Sequence, residues 1–308
     1  MKISIIGTNG MLSVALANTY TALGHNVIVY GLDSPKGYNY SSYCKCNLLS
    51  DKLNYEILIQ SDIIIYASGA GVQAALSTPS SLMYSLNVNV PVEITLQLKR
   101  YEYKGIFISF GSYMEIGVND EDGKSFTEEG MVCSHLPVTN DYGLSKRLYS
   151  RYMNDFNADF TFWHFILPNM FSYNDFKSGT RLIPYCLQYI KDYKSNLHPT
   201  IPKFSSGTQT REFILMEDIF PLILQAVSRK MPSGIYNMGG GKFQSIRQLV
   251  ESIFDFYSVP CKNDYFGQSV RRDGDIQSLR LDSNKLRKNL GTLPSTSLED
   301  VLRSLSIC

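Results

Sequence analysis

The stretch Asp141-Tyr142-Gly143-Leu144-Ser145-Lys146 places a phenol and an ammonium four residues apart. On a helix, side chains at that spacing share one face. A Tyr and a Lys on one face form a proton-transfer pair: the lysine charge is expected to favour the phenolate, lower the Tyr142 pKa and make the phenol a usable acid or base nearer neutral pH. The same pair on a solvated helix face would do nothing, so the surrounding elements decide its meaning.

Those elements read as an α/β fold. Short β-branched runs at Lys2 to Ile6, Asn26 to Tyr30, Asp62 to Ala67, Gly105 to Phe110 and Phe160 to Phe165 alternate with helical patterns near Met11 to Leu23, Leu82 to Tyr101 and Asp141 to Phe156. This alternation predicts a Rossmann-type, doubly wound parallel sheet with ligands at the carboxyl ends of its strands. Beyond about Leu167 the rhythm breaks into loops, short helices and isolated strands, with segments such as Ser205-Ser206-Gly207-Thr208, and a smaller C-terminal α/β lobe is implied. Arg211 to Leu215, followed by Met216-Glu217-Asp218, reads as a strand and helix start returning to the first domain. The expected division is therefore residues 1–167 with a return segment at about 213–242 against residues 168–212 and 243–308.

Gly7-Thr8-Asn9-Gly10-Met11-Leu12-Ser13 follows the first strand and opens the first helix. Its glycines permit a tight turn and a close approach of backbone to a pyrophosphate at the helix N-terminus, with Ser13, still small, in place of a third glycine. Gly7, Asn9, Gly10, Met11 and Leu12 are the candidate dinucleotide contacts. A carboxylate at the end of the second strand would hold the ribose hydroxyls and repel a 2′-phosphate. Gly31 stands there instead, Asp33 lies two residues on as a turn residue before Pro35, and Lys36 could balance a phosphate. This leans toward NADP(H), with NAD(H) open.

At 308 residues, with 44% hydrophobic and 19% charged, the chain has ordinary globular composition and room for one or two domains. A formal charge of +1 gives no basic excess for nucleic acid or an anionic membrane. The apolar run at Met1 to Gly7 is too short for a signal peptide and no stretch is long enough to span a bilayer, so a cytoplasmic protein is expected. Six cysteines, at 44, 46, 133, 186, 261 and 308, do not make a disulfide scaffold. Cys44 and Cys46, one residue apart without a second Cys or His pair, do not make a zinc site, so no metal is expected.

With the glycine loop, the α/β half and Tyr142–Lys146 in order, the whole chain resembles the extended short-chain dehydrogenase/reductase family, in its nucleotide-sugar epimerase/dehydratase group. In that family a Ser or Thr stands just beyond the fifth strand, and Ile108-Ser109-Phe110-Gly111-Ser112-Tyr113-Met114-Glu115-Ile116-Gly117 resembles that stretch, pointing to Ser112 with Ser109 as fallback. The resemblance further implies adenine contact by Asn47-Leu48, a cofactor-lining run at Ala67-Ser68-Gly69, and an active-site structural role for Asn87. In the second, substrate-binding lobe, Asn169 resembles a pyrophosphate contact and Leu182 belongs to the segment covering the nucleotide base. Arg211 and Arg272 resemble the phosphate-binding pair, for which Arg supplies bidentate donors. Ile166 replaces an expected Arg and Ser172 an expected Gly. The helices around Leu82 to Tyr101 and Asp141 to Phe156 resemble those that pair in family homodimers.

A phenol exchanging a proton beside a nicotinamide exchanging hydride can run oxidation, reduction, epimerisation or dehydration. Tyr113 and Met114 stand where family 4,6-dehydratases carry an Asp-Glu pair, and Met114 where GDP-fucose epimerase-reductases carry a Cys. Glu115 reads as structural, His164 as a satisfied core histidine, and His25, His135 and His198 as loop or helix-edge residues. The expectation is NADPH-dependent reduction of the 4-keto group of a nucleotide-linked 6-deoxysugar, as in deoxysugar and surface-polysaccharide synthesis. Tyr142 would supply the proton, Ser112 would bond the developing oxyanion, and Lys146 would bind the nicotinamide ribose and tune Tyr142. An NAD-dependent nucleotide-sugar 4-epimerase is the alternative. A non-catalytic dinucleotide-binding regulator, a class that usually loses the Tyr or the Lys, is the third.

Overall fold

The apolar runs become strands because residues such as Ile63, Ile64, Ile65 and Tyr66 are buried on both faces of a sheet, where β-branched side chains pack best. The computed structural model describes residues 1–71, 77–120, 123–173, 181–271, 273 and 276–305. In chain order the strands are β1 (Lys2–Ile6), β2 (Asn26–Gly31), β3 (Ser42–Lys45), β4 (Ile63–Tyr66), β5 (Ile106–Ser112), β6 (Thr161–Leu167), β7 (Asn169–Phe171), β8 (Thr210–Leu215), β9 (Gly234–Asn237), β10 (Lys242–Ser245) and β11 (Ser278–Leu279). Seven of them form one parallel sheet in the order β3-β2-β1-β4-β5-β6-β9. A smaller sheet has β8 at its centre, antiparallel to β10 on one side and parallel to β11 and β7.

The helices that matter for the site are α1 (Met11–Ala22), α2 (Tyr55–Leu58), α3 (Ser80–Tyr84), α4 (Val90–Arg100), α5 (Glu128–Val132), α6 (Asp141–Asp155), α7 (Leu182–Lys194), α8 (Ile219–Ser228) and α9 (Ile246–Phe256). On one face of the large sheet, Leu16 and Tyr20 of α1 and Phe220 and Ile223 of α8 pack over Ile3, Val29 and Phe165. On the other, Ile94 and Leu98 of α4 and Tyr149 and Met153 of α6 cover Ile64, Phe107 and Ile166. Each such buried side chain contributes about 1.5–3 kcal/mol relative to exposure, and together they fix α6 against the sheet. A third cluster joins α7 and α9 to Phe171 and Leu215 of the small sheet.

Four local differences from the sequence reading have physical causes. β3 was not foreseen because Ser-Tyr-Cys-Lys has no apolar run and is at most half-buried. β5 and β6 each run two residues further, so Ser112 pairs with Leu167 inside the ladder rather than beyond it. The single helix expected from Leu82 to Tyr101 is α3, a π-turn at Ser85–Asn89 and α4; Pro91, which has no N–H, sits at the start of α4 and cannot continue the α-helical bonding. The segment expected to return near residue 213 divides: β8 stays with the small sheet, and α8 and β9 rejoin the large one. Among the described residues, no helix is long and apolar enough to cross a membrane.

Candidate active site

Helix α6 starts where the sequence spacing requires. Asn140 caps it by accepting the Gly143 N–H at 2.7 Å. Gly143 admits close packing on the turn after β5, since a Cβ there would lie 3.0 Å from the Met114 carbonyl oxygen. Ser112, the last residue of β5, caps that turn in turn: its Oγ accepts the Met114 N–H at 3.3 Å, and Glu115 Oε1 accepts the Ser112 N–H at 2.6 Å. The carboxyl end of β5 and the first turn of α6 therefore meet at Ser112, Tyr142 and Lys146.

Tyr142 is half-buried and Lys146 buried, with the ammonium 6.0 Å from the centre of the Tyr142 ring. Lys146 Nζ donates to the Phe110 carbonyl at 2.9 Å. The expected lowering of the Tyr142 pKa is not what this environment produces. Burial pushes the phenol up to about 12, Ser112 hydrogen bonding to the phenol opposes that rise, and the Glu115 charge adds to it. The same burial pushes Lys146 down to about 8, against the attraction of Glu115. Desolvation outweighs the Ser112 hydrogen bond for the phenol and the attraction of Glu115 for the ammonium, so at neutral pH the pair is a neutral phenol beside an ammonium. That is a proton donor with a hydroxyl, Ser112, next to it.

The nucleotide end is assembled around Gly7, whose φ is +132°. A Cβ at Gly7 would lie 2.8 Å from Ser13 Oγ and 3.0 Å from the Ala67 carbonyl carbon, and Ser13 Oγ donates to the Ala67 carbonyl. Ser13 thus stitches the glycine loop to the carboxyl end of β4. Gly10 precedes α1, which has no side-chain cap and no acidic residue in its first turn, so its N–H groups and positive dipole end stay available beside Met11 and Leu12. Ala67, Ser68 and Gly69 run from β4 toward Tyr142 and Lys146: a Cβ at Gly69 would lie 3.8 Å from Lys146 Nζ and 3.1 Å from Asn87 Oδ1. Asn87, buried on the π-turn, accepts from Ala70 N and donates to Ala70 O and Ser145 Oγ. This cradle fits an extended dinucleotide reaching from Gly7 to Lys146.

At Gly31 the structure adds a reason for the missing acid. A Cβ there would lie 2.7 Å from Thr8 Cγ2. The adjoining loop is tied to the glycine loop by Asn9, which donates to the Ser34 carbonyl and accepts the Lys36 N–H, and by Tyr38, which donates to the Thr8 carbonyl. Gly31 is therefore a packing requirement of Thr8. Asn47 and Leu48 follow β3; Asn47 spends its side-chain oxygen on the Leu49 N–H, and Leu48 packs partly buried on the core.

The expected substrate residues lie in the small lobe. Asn169 opens β7 and pairs in register with Phe213, two residues from Arg211 on β8. Leu182 opens α7. Arg211 is buried and ion-paired to Asp273, and it also donates to the carbonyls of Thr210, Ile276 and Gln277. Arg271 shares the same Asp273 carboxylate. Arg272 lies outside the described residues. Tyr113 connects the two ends, because its buried hydroxyl feels the charges of Arg211, Glu212 and Asp273 as well as Tyr142.

Sequence reasoning missed the residues that brace this site. The Arg147 guanidinium donates to the carbonyls of Glu115, Ile116 and Leu136, pinning the turn after Ser112. Arg181 donates to Met11 Sδ and to the Met170 carbonyl, joining α1 to β7. Only the i+1 spacing of Arg147 from Lys146 hinted at the first; nothing local signals the second. His164 is a satisfied core histidine, with Ser109 Oγ on Nδ1 and Ser150 Oγ on Nε2, both at 2.8 Å. Ser109 is thereby removed as a candidate for the reacting hydroxyl. Among the described residues, no group of three or more His, Cys, Asp or Glu is placed to hold a metal.

A sequence model of the NAD dependent epimerase/dehydratase family matches residues 3–239. The chain belongs to this family. As a member of the epimerase/dehydratase family it is an enzyme of the extended short-chain dehydrogenase/reductase group. Among curated family relatives, UDP-arabinose 4-epimerase 1 of Arabidopsis thaliana is 33% identical over 105 residues, 33% of this chain and 24% of that protein. The match thus spans about a quarter of that relative's length. UDP-glucose 4-epimerase of Rhizobium leguminosarum bv. trifolii is 22% identical over 247 residues, 77% of this chain and 64% of that protein. The solved UDP-glucose 4-epimerase of Thermotoga maritima with UDP-glucose superposes with a TM-score of 0.77 at 18% identity, over 98% of this chain and 96% of that one, and shows the same fold.

Proposed function

We propose that this enzyme acts at C4 of a nucleotide sugar, with NAD as the cofactor, and interconverts C4 epimers. The observation that carries the reading is the meeting of Ser112, Tyr142 and Lys146 at the carboxyl end of β5, with no carboxylate among the described residues beside them free to remove water from a sugar. Tyr113 and Met114 are not acids, and Glu115, the acid that follows them, is fully buried and turned back to the Ser112 N–H.

A nicotinamide, when bound, supplies reversible hydride exchange. The residues supply the rest. The neutral phenol must first ionise; as the phenolate, Tyr142 takes the proton from the C4 hydroxyl, and as the phenol so formed it returns that proton to the C4 oxygen after the sugar face has changed. Ser112 holds that oxygen, and Lys146 holds the ribose and stabilises the phenolate in passing. Gly7, Gly10 and the open first turn of α1 would receive the pyrophosphate, with Ala67, Ser68, Gly69, Asn47 and Leu48 along the remainder. Asn169, Leu182 and Arg211 would hold the nucleotide portion of the substrate, Arg211 exchanging Asp273 for a phosphate.

Two considerations move the reading from reductase to epimerase. The curated relatives named above are 4-epimerases. The glycine at position 31, which suggested NADPH and net reduction, is required by Thr8 and so no longer speaks for a 2′-phosphate. NADPH-dependent reduction of a 4-keto sugar remains the second reading, favoured by the neutral Tyr142 phenol, which is a ready proton donor to a ketone oxygen. A homodimer through α4 and α6, which expose Leu96 and Leu148, and the division into a cofactor domain and a substrate lobe belong to the same proposal.

The test is incubation of the purified protein with UDP-glucose, UDP-galactose, UDP-xylose and UDP-arabinose, with and without added NAD, followed by chromatography of the products. Appearance of the C4 epimer supports the proposal. Consumption of NADPH only when a nucleotide-4-keto-6-deoxysugar is offered would establish the reductase instead.

A further inference from the structure

Beneath Ser112 and Lys146 lies a buried polar cluster that the proton transfer itself does not use. Glu115 is 0% exposed; its Oε1 accepts the Ser112 N–H, and its Oε2 has no hydrogen-bond partner. Gly111 makes room for it. A Cβ at Gly111 would lie 2.5 Å from Glu115 Oε1 and 2.8 Å from His164 Nε2, so the carboxyl and the imidazole close over one glycine. Lys146 Nζ is bound to the carbonyl of Phe110, the peptide joined to that same glycine. The carboxyl and the ammonium thus flank a single peptide unit.

A carboxylate held away from water with an unsatisfied oxygen is costly unless a nearby cation compensates it. The groups facing it narrow the choice. From α6 come Tyr142, Lys146, Arg147 and Ser150, and from β6 comes His164. His164 adds no charge: burial, with the Lys146 charge second, holds it neutral, and both ring nitrogens are occupied. Arg147 is held by main-chain carbonyls and the Ser134 hydroxyl, and its charge acts on the Glu115 carboxyl second to that of Lys146. Lys146 has one carbonyl.

We propose that Glu115 is a positioning residue of the reaction, the counter-ion that keeps Lys146 charged while its carboxyl fixes the Ser112 main chain. The proposal rests on the roles given above to Ser112, Tyr142 and Lys146. Burial lowers Lys146 and raises Glu115 to about 7, and each charge opposes the other's shift. Removing the carboxylate therefore lets the Lys146 pKa fall further, and the alkaline limb of activity falls with it.

Glu115→Gln keeps an acceptor for the Ser112 N–H and removes the charge. The expected result is an alkaline limb of kcat/KM moved down by about one pH unit, with kcat reduced more than KM is raised; Glu115→Asp, which keeps the charge, should hold the limb near its wild-type place. A limb unmoved in Glu115→Gln, or moved equally in Glu115→Asp, overturns the proposal. A second measurement needs no turnover: thermal unfolding of the protein without cofactor, for Glu115→Gln, Lys146→Met and the double variant, near pH 8 and near pH 5. Non-additive changes near pH 8 that vanish near pH 5, where Glu115 is protonated, support the counter-ion; additivity at both pH values overturns it. Absence of wild-type turnover on any nucleotide sugar would instead sink the functional reading and leave the unfolding cycle to decide this one.

Discussion

The Asn87 amide and the Ser145 hydroxyl lie 3.0 Å apart, joining the π-turn to α6 one residue before Lys146. Ser145 in turn donates to the Tyr142 carbonyl at 2.8 Å. The turn that Pro91 forces on the preceding helix is therefore what joins the loop after β4 to α6, the helix of Tyr142 and Lys146.

Asn87→Ala should disturb both. It leaves the Ala70 N–H and C=O without their partner, and the expected cost is about 1–3 kcal/mol of stability, with cofactor affinity reduced as the run from Ala67 to Ala70 loosens. Urea unfolding and a cofactor titration measure the two effects. Wild-type affinity in a destabilised variant would show that Asn87 serves the fold alone.

Tyr142→Phe removes the proton donor without changing the cradle. Turnover should fall by about 10²–10⁴-fold while cofactor binding persists. A regulatory protein that only senses a dinucleotide would keep its activity, so an unaffected variant would favour that class over an enzyme. The wild-type phenol, raised to about 12 by burial, predicts that turnover as an epimerase rises with pH above neutrality as more Tyr142 ionises.

Gly7→Ala places a Cβ against Ser13 and Ala67 at a positive φ. The strain is about 1–3 kcal/mol, and the glycine loop must shift away from any pyrophosphate. The variant should fold with a lower melting temperature and lose cofactor affinity far more than Gly24→Ala, whose Cβ would meet nothing within 4 Å despite its own positive φ. Equal cofactor affinity in the two variants would argue against pyrophosphate binding at this loop.

His164 makes the protein acid-sensitive. Burial first and Lys146 second hold its pKa at about 3 instead of 6.5, so the unfolded chain binds a proton that the folded chain refuses. The stability this confers is present above about pH 6.5 and is lost as pH falls toward 3. Glu115 runs the other way: its raised pKa gives stability that is present below its ordinary 4.5 and lost as pH rises through about 7. His164→Phe should be less stable at neutral pH, because Ser109 and Ser150 lose their partner, yet should lose on the order of 3 kcal/mol less on acidification. Denaturant unfolding at a series of pH values tests this; parallel wild-type and variant profiles would place the acid sensitivity elsewhere.

Much of this protein was written locally. Unbroken runs such as Ile63-Ile64-Ile65-Tyr66 specify strands buried on both faces, the glycine loop directly after β1 specifies a turn open to phosphate, and the four-residue spacing of Tyr142 and Lys146 specifies a shared helix face. Each depends on residues within one element, where periodicity and backbone freedom act. The polar strand β3 and the π-turn before Pro91 were harder to read, since both are imposed by neighbours.

The protonation of the pair was decided only by the tertiary structure. From sequence, a lysine beside a tyrosine lowers the phenol's pKa; in the fold, α6 is pressed against the sheet, and desolvation raises the phenol and lowers the ammonium instead. Beyond burial itself, the groups that act on the pair, Ser112 at the end of β5 and Glu115 over Gly111, come from outside α6. Their spacing from Tyr142 and Lys146 along the chain carries no signal, because the low dielectric that couples them exists only once β5 and α6 have packed together and excluded water.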